Sequence, residues 1–239
     1  MIVAVLGDIH GNYLALRKVL DDIQKMGIEH LLISGDIVGY YYHPDKVFDE
    51  LAKWSYELIQ GNHDNMFVRI YQGDEKLRKW YKQKYGSGIE IALEVLNQKM
   101  CEFLSKLPVK KEILINNKKI LLCHGSPWKF DEYIYPDSPE ATIKQCAQGD
   151  FDVVIMGHTH YPMERRINST VILNAGSVGQ PRNNIPGADW AVLNLDTLGV
   201  QLRHVQYDIS AVFEEAEHID PEIPYLSQVL SRKKNIINS

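Results

Sequence analysis

Five short polar clusters in this chain carry residue types that bind divalent metals. They are Asp8-Ile9-His10, Gly35-Asp36, Gly61-Asn62-His63-Asp64, Cys123-His124-Gly125 and Gly157-His158-Thr159-His160. As candidate ligands they offer two carboxylates, Asp8 and Asp36, an amide oxygen and up to five imidazoles. One tetrahedral site cannot use so many donors, and the set suits two adjacent divalent metals. Imidazole and oxygen ligands without thiolate fit Mn, Fe, Zn, Ni or Co. Such a pair, about 4 Å apart, lowers the pKa of a shared water, supplies hydroxide at neutral pH and holds phosphate oxygens for in-line attack. Each cluster alone is a weak signal, because Asp-x-His arises by chance and a lone strand-end histidine is commonly structural.

What joins them is placement, since each cluster ends an apolar run. Ile2-Val3-Ala4-Val5-Leu6 reads as a strand covered on both faces. Leu16, Val19, Leu20, Ile23 and Met26 then repeat as one face of a helix, with Gly27 just past its end. Leu31-Leu32-Ile33 is a second strand ending at Gly35-Asp36. Pro44 opens a second helix with Val47, Phe48 and Leu51 on its apolar side. Glu57-Leu58-Ile59 is a third strand ending at Gly61-Asn62. Asp8 to Asp36 is 28 residues and Asp36 to Asn62 is 26, each close to one βαβ unit of about 30. A parallel sheet built this way places the first three clusters side by side on its carboxyl edge.

Residues 65–107 read as a helical insertion, either a cap over the site or plain core helix. Ile113–Ile115, Asn116-Asn117 and Ile120–Leu122 read as a hairpin with asparagines at the positive-φ turn positions. A helix over about 139–148 precedes the run Val153–Met156, which delivers Gly157-His158. Strands follow near 170–173, 190–195 and 202–206, and residues 211–239 read as a helical, peripheral tail. There is no repeat, low-complexity stretch or linker, so 1–239 is expected to be a single domain.

The composition is that of a globular α/β chain: 239 residues, 45 % hydrophobic, 24 % charged, net charge −5. This charge disfavours duplex nucleic acid or an anionic membrane as main partner. Three unpatterned cysteines imply no disulfide framework, and no export signal or membrane-length apolar stretch is present, so a cytoplasmic protein is expected.

In the order, strand-end placement and spacing of these five clusters, residues 1–182 resemble the calcineurin-like metallophosphoesterase family. The resemblance implies its four-layer αββα sandwich, two mixed sheets flanked by helices. It also implies two divalent transition metals, with Mn foremost. Asp8, His10 and His160 would complete the first site, and Asn62, His124 and His158 the second. Asp36 is the candidate bridge, since one carboxylate binding two cations offsets their repulsion. In the family the histidine matching His63 is not a ligand, which makes His63 the candidate general acid or transition-state stabiliser. Asp64 either orients His63 or caps the helix that begins there. Cys123 alternates with His124 on a strand and reads as core.

The implied activity is hydrolysis of phosphodiester or phosphoanhydride bonds in a small, nucleotide-like substrate. Alternatives are a phosphomonoesterase or protein phosphatase of the same family, or a non-catalytic scaffold such as the retromer subunit, which lacks the catalytic histidine. Many members carry an Asp-Arg pair after Gly-Asp, but this chain has Gly39-Tyr40. That weakens the protein-phosphatase reading and leaves open what hydrogen-bonds to His63. Arg182, after the turn-forming run Asn174–Pro181, either binds phosphate or is a solvated turn residue. Tyr40, Tyr41, Tyr42 and His43 either stack on a nucleobase or wall the loop. Trp128 either lines the pocket or is core. Sequence sets neither the oligomeric state nor the substrate.

Overall fold

The computed structural model describes residues 1–232. The chain opens with β1 (Ile2–Leu6), α1 (Tyr13–Lys25), β2 (His30–Ile33), α2 (Pro44–Leu51) and β3 (Ser55–Leu58). Four helices follow: α3 (Asn62–Tyr71), α4 (Glu75–Tyr85), α5 (Gly88–Val95) and α6 (Gln98–Lys106). The second half runs β4 (Lys110–Ile115), β5 (Lys118–Cys123), α7 (Glu140–Cys146), β6 (Val153–Met156), β7 (Pro162–Ile167) and β8 (Thr170–Ala175). It ends with β9 (Ala188–Asn194), β10 (Gly199–Val205), α8 (Ser210–Ile219) and α9 (Tyr225–Ser231).

The strands form two five-stranded mixed sheets, β10-β9-β1-β2-β3 and β4-β5-β6-β8-β7. β1, β2 and β3 are parallel, as the two βαβ spacings predict, and so are β5, β6 and β8. Strand alternation then divides the apolar side chains between layers. Ala4, Leu6, Leu31 and Ile33 face Leu16, Val19 and Ile23 of α1, while Val3, Val5 and Leu32 face Ile120, Leu122, Val153 and Ile155 of the second sheet. On that sheet's outer face Leu121, Cys123, Val154 and Met156 pack on Ile143 and Cys146 of α7. The layers are therefore α, β, β, α, as the resemblance implied. Cys123 lies in the outer core.

The hairpin is as expected, with Asn116 and Asn117 at φ 53° and 57°. β7 was not expected. Among the described residues it is an edge strand paired only with β8, and Glu164-Arg165-Arg166 give it no apolar run. The insertion packs on the core and borders the cleft beside the site. Phe67, Tyr81, Ile89, Ala92 and Leu104 are buried in the main core, while other residues of α3 and α4 form one wall of the site cleft.

The tail expected to be peripheral is instead a brace. Tyr40, Tyr41 and Tyr42 pack against Val212, Ala216, Leu226 and Val229 of α8 and α9. Tyr41 Oη donates to Leu226 O (3.0 Å), and Asp220 accepts from Tyr42 Oη (2.9 Å) and from the Ser87 backbone N–H and hydroxyl (2.8 and 2.7 Å). The last part of that expected tail, 233–239, lies outside the described residues.

Candidate metal centre

All five clusters converge where the carboxyl ends of β1, β2 and β3 meet those of β5 and β6. The chain turns sharply there. Asp8, His10, Asp36, His158 and His160 have φ between 51° and 67°, the left-handed region that non-glycine residues rarely occupy. Two glycines of the motifs are needed for close approach. A Cβ on Gly61 would lie 2.1 Å from Asp36 Oδ1, and one on Gly157 would lie 2.9 Å from Asp8 Oδ2.

The imidazole hydrogen bonds reveal what the cluster is built to hold. His10 Nδ1 lies 3.2 Å from Val38 O, and His160 Nδ1 lies 2.7 Å from Gln180 O. A carbonyl only accepts, so in both rings Nδ1 carries the proton. Burial holds both histidines well below the usual pKa, so both are neutral and Nε2 is a bare lone pair. Those two Nε2 atoms face each other at 3.1 Å. Two acceptors pointed at one another inside a protein call for a cation between them. Nearby, His124 Nδ1 donates to Ser34 O (2.8 Å), and its Nε2 lies 2.8 Å from Asn62 Oδ1 and 3.3 Å from Asp36 Oδ2. His158 Nδ1 lies 2.8 Å from Asn62 Oδ1, while its Nε2 is buried without a partner.

Potential ligand atoms within 4.8 Å of one another form three groups: Asp8-His10-His160, Asp8-Asp36-His124 and His10-Asp36-His63. The donor set thus fits divalent cations, and Asp36 belongs to two of the groups. Protons compete for the same positions. Burial would lower His124, but the charge and hydrogen bond of Asp36 outweigh it and push His124 up to about 9. Burial would raise Asp36, yet His124 and the other imidazoles hold it well below the carboxylate range. Burial raises Asp8 to about 7 against the pull of His124.

His63, at the first turn of α3, does not rely on Asp64. Asp64 accepts four backbone N–H groups, from Asp36 (2.8 Å), Ile37 (2.9 Å), Val38 (3.1 Å) and Gly61 (2.9 Å). Of its two expected roles the carboxylate performs the cap, and it ties the β2 loop to α3. His63 Nδ1 is held instead by Tyr81 Oη of α4, at 2.6 Å.

Tyr40 is 4 % exposed, too buried to stack on a base, and its ring lies 4.5 and 4.6 Å from those of His10 and His63. Tyr41 and Tyr42 are equally buried walls of the loop. The Tyr40 hydroxyl accepts from Arg182 Nη2 (3.1 Å), which also donates to Gln180 Oε1 (3.3 Å). Among the described residues no carboxylate pairs with Arg182, and its buried Nε has no partner.

Beside Asn62 and His158 opens a cleft of about 380 Å³ between Trp80 and Tyr85 of α4 and Phe130 and Tyr133 of the β5–α7 loop. Trp80 is 44 % and Tyr133 49 % exposed, and the Tyr133 ring lies 4.1 Å from that of His158. Trp128 is 40 % exposed and does not line this cleft. Tyr81, Trp80 and Tyr133 were missed from sequence, since an aromatic residue in a helix or loop carries no metal-ligand signature.

An αββα sandwich gathering Asp, Asn and His at its strand ends defines a metal-dependent phosphoesterase. The sequence profile of the calcineurin-like phosphoesterase superfamily domain matches residues 1–198, and the chain belongs to that family of hydrolases acting on phosphoric ester bonds. The chain is similar to the uncharacterized protein MJ0912 of Methanocaldococcus jannaschii, 30 % identical over 234 residues, covering 89 % of this chain and 90 % of that protein. Its fold matches the crystal structure of the hypothetical protein PH1004 from Pyrococcus horikoshii OT3, with a TM-score of 0.82 at 25 % identity, covering 97 % and 99 % of the two chains. It also matches a metallophosphoesterase from Sphaerobacter thermophilus, with a TM-score of 0.76 at 23 % identity, covering 97 % and 98 %. No helix among the described residues is long and apolar enough to cross a membrane.

Proposed function

We propose that the protein is a dinuclear metal-dependent phosphoesterase hydrolysing phosphodiester or phosphoanhydride bonds of a small, nucleotide-like substrate. The observation that carries this is the pair of neutral Nε2 lone pairs of His10 and His160 opposed at 3.1 Å, next to a second group of candidate ligands around Asp36. Asp8, His10 and His160 would hold one divalent ion, Asn62, His124 and His158 the other, and Asp36 both. When bound, the metals supply an activated water and charge for phosphate oxygens, with Mn the first choice. The chain's own residues do the rest. Arg182, without a carboxylate partner, offers its N–H groups to a phosphate oxygen, and Tyr40 fixes that guanidinium in place. His63 hydrogen-bonds to a substrate oxygen where charge develops. Asp64 keeps the loop and α3 in register. Exposed aromatic faces on opposite walls of the cleft offer stacking to a flat base, which favours a nucleotide over a simple phosphomonoester.

The reading is tested by metal-stripped protein. It should be inactive on methyl p-nitrophenyl phosphate and recover with Mn. The His63→Ala protein should bind the same amount of metal while turnover falls by roughly 10²-fold or more. Loss of metal in that variant would make His63 a ligand, and re-metallated protein inert toward every phosphate ester would end the enzyme reading.

A further inference from the structure

His204 of β10 sets its two ring nitrogens on two acceptors. Nδ1 lies 2.7 Å from Asp189 Oδ1 of β9, and Nε2 lies 3.1 Å from Pro186 O in the loop between β8 and β9. The loop closes tightly over the ring. Gly187 has φ +143°, and a Cβ there would lie 2.5 Å from His204 Nε2, so only glycine lets the imidazole reach that carbonyl. The other oxygen of Asp189 accepts from Asn183 Nδ2 (2.8 Å), on the residue after Arg182. Upstream of Arg182 the loop is held by the Val178 and Gly179 N–H groups, on Gly7 O and Asp8 O at 3.0 Å each. Downstream, the Asp189–His204 pair fastens it at Asn183 and Pro186.

Counting protons identifies the form of the ring that makes both bonds. A backbone carbonyl only accepts, and so does an ionised carboxylate. A neutral imidazole has one N–H. With that proton on Nδ1, Pro186 O loses its donor; with it on Nε2, a bare lone pair faces the carboxylate. The imidazolium alone satisfies both acceptors. Asp189 is the charged group that acts on the ring, and its hydrogen bond raises His204 above 6.5. Residues 183–187 carry no charge. Arg203 points to the other face of β10, 5.8 Å over the Trp190 ring. Arg166 of β7 donates to Leu198 O, before the start of β10, and Asp208, past its end, accepts from the Ser210 N–H. Burial raises Asp189, while the bonds from His204 and Asn183 pull it back, so the proton rests on the imidazole.

Resting on the phosphoesterase reading and its use of Arg182, we infer that protonated His204 is a positioning residue for substrate. It holds the β8–β9 loop so that the Arg182 guanidinium meets the phosphate, and its deprotonation slackens that hold. The hold is complete below the ordinary histidine value and fades as pH rises through the raised one. His204 touches neither the candidate ligands nor His63, so the loss falls on KM and leaves kcat in place. The backbone N–H of Arg182 lies a long 3.3 Å from His160 O, and the guanidinium is held by Tyr40 and Gln180 at its far end. The fastening after Arg182 therefore decides where the base of that side chain sits.

Two measurements test this. In zinc-loaded protein with 15N-labelled histidine, His204, assigned against H204Q, should carry protons on both ring nitrogens at about pH 6 and lose one through a midpoint above 6.5. A ring already neutral at that lower pH overturns the inference whatever the activity. The second measurement is KM for methyl p-nitrophenyl phosphate, a monoanion throughout the neutral range, at saturating Mn. Between the two sides of the His204 midpoint the parent KM should rise roughly fivefold, the worth of one hydrogen bond. H204Q should sit at the high value on both sides, with kcat within about twofold of the parent. In R182A, which has no guanidinium to place, adding H204Q should change KM by less than about twofold. A KM rise of the same size and midpoint in H204Q, or an equal H204Q effect with and without Arg182, would make His204 merely structural and refute the inference. Absence of all phosphate-ester hydrolysis would defeat the phosphoesterase reading instead, with the NMR result still deciding whether His204 holds both protons.

Discussion

Tyr40 and the five ligand candidates Asp8, His10, Asp36, His158 and His160 hold positive φ around the metal centre, at a cost of about 1–2 kcal/mol each. The surrounding bonds must hold them there, and Asp64 is the clearest case because all four of its partners are backbone donors. Replacing it with Asn aims an NH2 group at those donors. D64N is expected to lose about 3 kcal/mol of stability and part of its metal content, measured by thermal unfolding and metal analysis. On the proposed reading Arg182 serves substrate rather than structure. R182A should raise KM roughly tenfold or more with metal content unchanged, and R182K should recover only part of it, since a single ammonium cannot match the fork. At this scale the candidate ligands were legible because Asp, Asn and His at strand ends have little else to do in such numbers. Tyr81 was not legible. Its apolar ring sits in a helix pattern like any core tyrosine, and only the fold shows its hydroxyl at His63.

The elements that carry the site do so by ending beside it, and the βαβ spacing exposed three of them before any coordinates. The meeting of β5 and β6 with that edge depends on packing between two sheets, which no local pattern encodes. β7 was invisible for a different reason, being an edge strand with charged residues. α4 serves two purposes, with Tyr81 turned inward and Trp80 toward the cleft. Truncating the outer face should be selective: W80A and Y133A are expected to raise KM roughly tenfold for a nucleoside p-nitrophenyl phosphate and leave methyl p-nitrophenyl phosphate unchanged. The β8–β9 loop, which carries Arg182, is pinned by Asn183, which donates to Asp189 Oδ2 of β9 (2.8 Å), and Asp189 Oδ1 is held in turn by His204 Nδ1 of β10 (2.7 Å). The hydrogen bond to Asp189 raises the His204 pKa above 6.5. The folded protein thus binds that proton more tightly than the unfolded chain. Its stabilisation is complete below about pH 6.5 and is lost as pH rises through the raised value. The melting temperature of the parent protein should fall over that interval, and that of H204N should fall less.

Across the whole molecule, the two sheets bury their common face on aliphatic residues and confine the polar groups to one rim, where the metals would stabilise an otherwise repulsive set of acceptors. In the metal-free protein that role falls partly to protons, with His124 raised to about 9 and Asp8 to about 7. Metal must displace them, so affinity should climb as pH rises from 6 toward 9 and proton release should accompany binding, both measurable by calorimetry in buffers of different ionisation enthalpy. The most direct test is a titration of Mn into metal-stripped protein while methyl p-nitrophenyl phosphate hydrolysis is followed. Activity should be absent at the start, rise with added metal and level off at two equivalents per chain. A plateau at one equivalent, or no hydrolysis at any loading, would contradict a dinuclear phosphoesterase.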